Sequence, residues 1–165
     1  MPVNPDKDAC ELLDADHLAV KHLFVEYARL AMLAASPQAA PASDDRLALA
    51  MKICDELTVH AQIEEEVFYP ALEQAVPDAG DLVEEAQAEH QEAKALIAQI
   101  RALATADQTM DDLVSQLNRA IEHHVKEERD ELFPKARASG MDLAGLGAQL
   151  RERQLELEGE PMPSA

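Results

Sequence analysis

Apolar residues recur along the chain with the period of an α-helix, in four long segments separated by short stretches rich in Pro, Gly and Ser. The segments run from about residue 12 to 35, 44 to 75, 81 to 104 and 109 to 139. The stripe of the first segment comprises Leu13, His17, Val20, Phe24 and Ala28. Because the period is 3.6 residues, the pattern predicts an all-α, up-down-up-down four-helix bundle and no strand.

Turn and capping residues mark the ends of these segments. The expected N-terminal signals are Asn4-Pro5 for the first helix, Ser43 for the second, and a capping-box variant from Thr109 to Asp112 for the fourth. Pro70 and Pro134 are expected to bend or end the regular part of the second and fourth helices, because Pro lacks a backbone N–H. Ser139-Gly140 is expected to close the fourth.

Residues 141–158 predict a short fifth helix. Its apolar stripe comprises Leu143, Leu146, Leu150 and Leu157. This helix could pack on the bundle or on another subunit, and packing on its own domain requires no partner. We therefore expect one domain, with the bundle over residues 1–140 and a C-terminal helix and tail over 141–165 packed against it.

Composition and charge narrow the function. The chain has 165 residues, 47% of them hydrophobic, and a net charge of −19. Such an acidic surface repels nucleic acids and anionic membranes, so neither is an expected partner. Cys10 and Cys54 are far apart and form no Cys-x-x-Cys motif, which favours reduced thiols in the cytoplasm. The polar N-terminus shows no signal peptide, and no apolar run reaches membrane-spanning length.

Two stretches of the sequence repeat one pattern, HAQIEEEVFYP (60–70) and HVKEERDELFP (124–134). In each, a His is followed four residues later by a Glu, which puts both side chains on one helix face. His123 and Glu127 share that spacing, but Pro70 and Pro134 each lie ten residues after a His and select the pairs His60/Glu64 and His124/Glu128.

A second repeat relates the first and third helices, DHLAVKHLF (16–24) and EHQEAKALI (89–97). Each has an acid, a His, and a Lys four residues after the His, giving His17/Lys21 and His90/Lys94. Counted from the shared loops at ~1.5 Å per residue, all four histidines lie at matching heights in an antiparallel bundle. A pseudo-two-fold bundle with one layer of histidines is therefore predicted.

Four imidazoles and two carboxylates predict a metal site. They are too many for one structural zinc ion, and calcium and magnesium prefer mostly oxygen. A pair of iron or manganese ions suits this mixed set in a bundle core. With two bridging Glu, four His and an oxo or hydroxo bridge, roughly two of about twelve coordination positions stay open. An open position implies a small ligand such as dioxygen, peroxide or nitric oxide.

With these motifs in this order, residues 12–136 resemble the hemerythrin-like (HHE cation-binding) family. The resemblance implies a left-twisted four-helix bundle around an oxygen-bridged pair of iron ions, for which manganese or zinc could substitute. It implies as ligands His17, His60, Glu64, His90, His124 and Glu128, with the two Glu bridging. Oxygen-carrying hemerythrins have a fifth His where this chain has Lys94. The four-His, two-Glu set is similar to that of di-iron proteins that repair iron–sulfur clusters, which carry paired N-terminal cysteines where this chain has Cys10 alone.

Three functions follow as hypotheses. The first is a non-haem di-iron protein that binds or senses a small oxidant. The second is a di-iron enzyme of peroxide breakdown, or of iron–sulfur cluster repair or iron donation under stress. The third is a metal-free interaction module.

The sequence leaves the roles of several other side chains undecided. Lys94, repeated by Lys21, either pairs with an acid or places an ammonium near the open position. Tyr27 and Tyr69 are expected to pack in the core. The remaining candidates for contacting the ligands are Asp16, Glu89 and Glu127.

Overall fold

The computed structural model describes residues 7–35 and 44–159, which contain helices and no strand. The α-helices are α1 (Ala9–Ala34), α2 (Asp44–Ile63), α3 (Tyr69–Ala75), α4 (Gly80–Arg101), α5 (Gln108–Glu127), α6 (Phe133–Ala138) and α7 (Leu143–Gly159). A π-helical turn joins α2 to α3 and another joins α5 to α6, so each pair forms one long rod. The four rods contact their neighbours in the order α1, α2, α4, α5. The predicted all-α bundle with a short fifth helix is confirmed.

The two π-helical turns are Glu64–Phe68 and Glu128–Leu132, and each ends just before a Pro. In the first turn the Tyr69 N–H bonds to the Glu64 carbonyl, five residues back. Pro70 has no N–H, and its ring would crowd the carbonyl four residues before it in an α-helix. The wider turn accommodates the Pro. The regular α-helix thus ends before each Pro, as expected, at Ile63 and Glu127, and the rod continues through the π-helical turn.

The N-terminus of α5 differs from its prediction. Asp107, not Thr109, caps the helix, because the Asp107 side chain accepts the Met110 N–H at 3.2 Å. Asp112, the acid of the predicted box, instead accepts a hydrogen bond from the Gln108 amide at 2.8 Å. The predicted box is therefore wrong, because the helix begins at Gln108 and Thr109 already lies inside it.

The N-terminus of α1 carries a capping box. The Glu11 N–H donates to Asp8 Oδ1 at 2.9 Å, and the Asp8 N–H donates to Glu11 Oε1 at 3.2 Å. The signals expected from Asn4-Pro5 and Ser43 lie outside the described residues. Gly140 closes α6 as predicted, with the positive φ of 77° that Gly adopts without steric cost.

The buried stripe of α1 ends differently from the predicted one. Leu13, His17, Val20 and Phe24 are buried as predicted, but Ala28 is exposed and Tyr27 is buried instead. Successive residues differ by 100° around a helix, so the choice between adjacent positions decides which one faces the core.

Helix α7 packs on α1 and α2. Leu146, Leu150 and Leu157 are buried against the bundle. A Cβ on Gly147 would lie 2.7 Å from the Lys7 carbonyl oxygen, so only Gly allows α7 to come this close to the start of α1. The division of the chain at residue 140 stays a prediction.

The apolar core is divided in two by a polar layer. One cluster surrounds Phe68, Leu72 and Phe133 near α7, and the other surrounds Phe24, Ile53 and Ile100 toward the opposite end. Between them lie the buried histidines and glutamates. Cys10 and Cys54 are buried free thiols in separate clusters. Among the described residues, no helix combines the length and apolar character needed to cross a bilayer.

Candidate metal centre

The structure brings all six residues predicted as ligands into one buried layer. His17 and His60 approach each other with their Nε2 atoms 3.1 Å apart, and the same atoms of His90 and His124 are also 3.1 Å apart. Glu64 and Glu128 lie between the two pairs, and both are fully buried. Buried carboxylates need a counter-charge, so their position between imidazoles is a first indication of a cation site.

The ligand atoms form two overlapping groups, each within 4.8 Å: His17, His60, Glu64 and Glu128, and Glu64, His90 and His124. Glu64 belongs to both groups. Its Oε1 lies 3.1 Å from His60 Nε2 and 3.2 Å from His90 Nε2. Glu128 Oε1 likewise lies 3.1 Å from His17 Nε2 and 3.2 Å from His124 Nε2. Each glutamate therefore lies within about 3.2 Å of one imidazole from each histidine pair.

These close approaches are not hydrogen bonds. Within the described residues, both oxygens of Glu64 and Oε1 of Glu128 are buried with no hydrogen-bond partner of suitable geometry. A buried carboxylate left without a partner costs free energy, and a cation removes that cost. The residues thus fit a pair of cations on chemical grounds.

Charge compensation within the protein alone perturbs these groups. Burial alone would lower the pKa of His60, but Glu64 and Asp16 raise it well above the usual value. His124 behaves likewise, since Glu128 outweighs the effect of burial on its pKa. Burial opposes ionisation of Glu64, yet the neighbouring imidazoles hold its pKa well below the usual range. The buried imidazoles and carboxylates of the layer thus favour each other's charged forms, although Glu64 has no hydrogen-bond partner of suitable geometry.

Each His has a carboxylate on its other ring nitrogen, Nδ1. Asp16 precedes His17 in the sequence but contacts His60, on the next rod along the chain, at 3.2 Å. In the same way, Glu89 precedes His90 but contacts His124 at 2.9 Å. The other two contacts are Asp14 with His17 at 3.4 Å and Glu65 with His90 at 2.9 Å. A carboxylate on Nδ1 fixes the proton there and leaves Nε2 free for a metal.

A further set of donors holds these four carboxylates. Arg129 Nε donates to Asp14 at 2.6 Å, and Lys94 Nζ donates to Glu65 at 2.8 Å. The amide of Gln154, on α7, donates to both oxygens of Asp16 at 3.2 Å. His123 Nε2 lies 3.2 Å from Glu89 Oε2.

The two lysines predicted near the site point outward. Lys94 is half-exposed, and its ammonium pairs with Glu65 rather than with a ligand atom. Lys21 is exposed on α1. Lys94 therefore reaches the layer through Glu65 and His90, and its side chain also lines a small cavity beside the four histidines. A role of its ammonium beside an open position stays a prediction.

Tyr69 is a site residue that the sequence did not identify, since packing was the expected role. Its hydroxyl donates to Glu128 Oε2 at 3.1 Å and lies 3.2 Å from His90 Nε2. Burial, together with Glu128 and Glu64, raises its pKa well above the usual value. Phe133 occupies the equivalent position of the other rod and stacks on the His17 ring, with centroids 6.1 Å apart. The two halves of the site therefore differ by one hydroxyl.

A small cavity of about 30 Å³ touches the layer on the side away from Tyr69. All four histidines line it, and Val20, Ala93 and Ile97 are among its apolar walls. A cavity of this size holds one or two atoms the size of a water oxygen. The site thus combines converging donors with a small, largely apolar chamber.

This fold and donor set define a helical-bundle protein with a cation-binding layer at mid-height. The family model described as hemerythrin HHE cation binding domain matches residues 8–136, and the chain belongs to this family. The predicted family is thereby confirmed, and cation binding is its shared property.

One solved relative has the same fold. It is a hemerythrin HHE cation binding domain-containing protein from Mycobacterium kansasii, which is 24% identical to this chain. The match has a TM-score of 0.73 and covers 93% of this chain and 88% of the relative.

A second relative matches only in part. A protein from a Nostoc species named DNA nickase is 36% identical over 86 residues, which are 52% of this chain. The match spans about a quarter of that protein's length, 24%.

Proposed function

We propose that this protein binds a pair of iron ions in the histidine–glutamate layer and uses them to bind or sense a small oxidant. His17 and His60 hold one ion, His90 and His124 hold the other, and Glu64 and Glu128 bridge them. Bound there, an iron pair would supply reversible redox chemistry toward a small oxidant. The chain's own residues fix the imidazoles and exclude bulk water.

The cavity beside the four histidines is the observation that carries the proposal. With a volume of about 30 Å³ and largely apolar walls, it suits a molecule of one or two non-hydrogen atoms rather than a larger substrate. Dioxygen, nitric oxide and peroxide are of this size. A purely structural metal site needs no chamber next to its ligands, because structural sites are closed by protein donors.

Anaerobic reconstitution with iron followed by metal analysis tests the cofactor. We expect two iron ions per chain, and a count near one would refute the dinuclear site. His60→Ala should lose iron, because it removes a converging nitrogen. His22→Ala is the matched control, since His22 is exposed on α1 and should keep both ions. A metal-free interaction module would bind no iron in any variant.

Optical spectra under dioxygen, nitric oxide and peroxide then test the ligand. Sustained consumption of peroxide would establish an enzyme of peroxide breakdown in place of a carrier or sensor. A single stable spectral change with each oxidant would instead support binding or sensing.

The cavity itself is tested by filling it. Ala93 is buried and lines the cavity, so Ala93→Val should slow or abolish small-ligand binding while keeping two iron ions. Ala86→Val is the matched control, because Ala86 is buried on the same helix in the other core cluster. Equal ligand binding in the two variants would show that the cavity is not the ligand site.

A further inference from the structure

The side chain of Gln154 connects the C-terminal helix α7 to the metal layer. Gln154 donates its amide to both oxygens of Asp16, at 3.2 Å each. Asp16 in turn contacts His60 Nδ1 at 3.2 Å through Oδ2. The path from α7 to a ligand atom is thus Gln154, Asp16 and His60, with every contact at hydrogen-bonding distance.

We propose that Gln154 is a positioning residue for the metal centre, and that α7 serves to hold the His17/His60 side of the layer. By fixing the Asp16 carboxylate, Gln154 fixes the ring orientation and the Nδ1 proton of His60, so that Nε2 faces the cation. This role rests on the proposed function, because it requires a cation at that layer.

The placement of α7 supports a positioning role. Buried leucines attach it to α1 and α2, and Gly147 lets it approach the backbone at the start of α1. Arg153, next to Gln154, pairs with Glu66 at 2.7 Å on the π-helical turn that carries Glu64. This pair is partly exposed and contributes little stability by itself. It does set the register of α7 against the turn, which aligns Gln154 with Asp16.

The opposite side of the layer has an equivalent contact that does not involve α7. Lys94 donates to Glu65 at 2.8 Å, and Glu65 contacts His90 Nδ1 at 2.9 Å. Each of these two histidines is thus held through one acid by one donor, Gln154 for His60 and Lys94 for His90. Removing either donor should loosen one ion of the pair and spare the other.

Release of zinc or iron from the loaded protein to a chelator tests this separation. Carboxylates that orient ligand imidazoles affect metal affinity by about 10–100-fold. Because Gln154 acts through such a carboxylate, Gln154→Ala should release one ion about 10-fold faster while the second leaves at the wild-type rate. Lys94→Ala should accelerate one ion by a similar factor, and the double variant should accelerate both. Equal acceleration of both ions by Gln154→Ala alone would overturn the proposal.

Two further variants separate positioning from general stability. Gln154→Glu keeps the shape, loses the donor and adds a charge beside Asp16, so it should accelerate release more than Gln154→Ala. Gln154→Lys restores a donor and should return release toward the wild-type rate. Gln149→Ala is the matched control, since Gln149 is an exposed Gln on the same helix.

The outcomes distinguish this proposal from the function on which it rests. If the wild-type chain takes up no metal, the proposed function fails. If it takes up two ions and Gln154→Ala releases both at the rate of Gln149→Ala, only the positioning role fails. Metal-free Gln154→Ala and Gln149→Ala should unfold at equal denaturant concentrations, and a large difference would assign Gln154 a merely structural role.

Discussion

Replacing Tyr69 by Phe tests the half of the site that carries the additional hydroxyl. The substitution removes one oxygen from a fully buried side chain and leaves the ring in place. The lost contact is the hydrogen bond from the hydroxyl to Glu128 Oε2, at 3.1 Å. Hydrogen bonds to charged groups contribute about 1.5–3 kcal/mol. In the metal-free protein we therefore expect the free energy of unfolding to fall by an amount near the upper end of this range, because Glu128 Oε2 is left without this donor.

Tyr27→Phe is the matched control at the other end of the bundle. Tyr27 is also buried, and its hydroxyl donates to Asp111 Oδ1 at 2.7 Å. Asp111 keeps both hydrogen bonds from Arg46 after the substitution, at 2.8 and 2.9 Å. The loss should therefore fall near 1.5 kcal/mol, the lower end of the same range. For a chain of this size, about 1.5–3 kcal/mol corresponds to a fall in melting temperature of roughly 3–12 °C.

Metal loading separates the two tyrosines. The Tyr69 oxygen lies 3.2 Å from His90 Nε2 and 3.4 Å from His124 Nε2, a spacing typical of donors around one cation. We expect Tyr69→Phe to lower the free energy of unfolding more in the iron-loaded protein than in the metal-free protein, because it then also removes an oxygen that contacts the cation. The cost of Tyr27→Phe should not change on loading. Denaturant unfolding with and without iron measures all four values. Equal costs of Tyr69→Phe in both states would refute contact between the hydroxyl and the cation.

Three further predictions concern pH, the ion pair of Arg46 with Asp111, and the metal. Burial and the neighbouring Glu89 raise the pKa of Glu127 from 4.5 to about 7. When folding raises the pKa of an acid, the folded protein loses stability as pH rises from the acid's pKa in the unfolded state to its pKa in the folded state. In the metal-free protein, the stability advantage of Glu127→Gln over wild type should therefore grow by about 1 kcal/mol between pH 4.5 and 7, and no further above pH 7. The same difference in denaturant midpoint between variant and wild type at pH 4.5 and at pH 7 would contradict this. Arg46→Met leaves Asp111 without its cation and should cost about 3 kcal/mol in urea unfolding; a loss below about 1 kcal/mol would show the pair to be dispensable. Iron at about 100 times its dissociation constant should add about 2.7 kcal/mol, which a chelator removes, and no shift in melting temperature would indicate no binding.

The helices were predictable from the sequence because burial repeats with a local period. The four rods, α7 and the closing Gly140 follow from the spacing of apolar and turn residues alone. The exact caps do not, because several polar residues compete for each helix end. At α5 the cap is Asp107, two residues before the predicted Thr109, and the acid of the predicted box, Asp112, accepts from Gln108. Both positions carry a residue that can cap a helix, so the local sequence alone does not decide between them.

The residues of the site were predictable from the sequence, but the contacts between them were not. His60 with Glu64 and His124 with Glu128 share a helix face, and the positions of the two prolines singled them out from other pairs with the same spacing. The acid–His pairs also indicated that Asp16 and Glu89 matter, but not that each serves the next rod. Glu65 with His90 and Gln154 with Asp16 depend on how neighbouring helices rotate against each other. No periodicity in one segment encodes that rotation, so these contacts required the structure.

The π-helical turns explain why the two prolines marked the two buried glutamates of the layer, Glu64 and Glu128. In an α-helix, a residue five positions after Glu64 would be rotated by 500°, about 140° away from it. In the wider turn, the Tyr69 N–H bonds to the Glu64 carbonyl, which puts that fifth residue about one full turn above the glutamate. The aromatic before each Pro therefore faces the same layer as the glutamate. Because Pro favours the wide turn, it fixes the glutamate and the aromatic together. A Tyr in one rod and a Phe in the other then make the two halves of the histidine–glutamate layer chemically different.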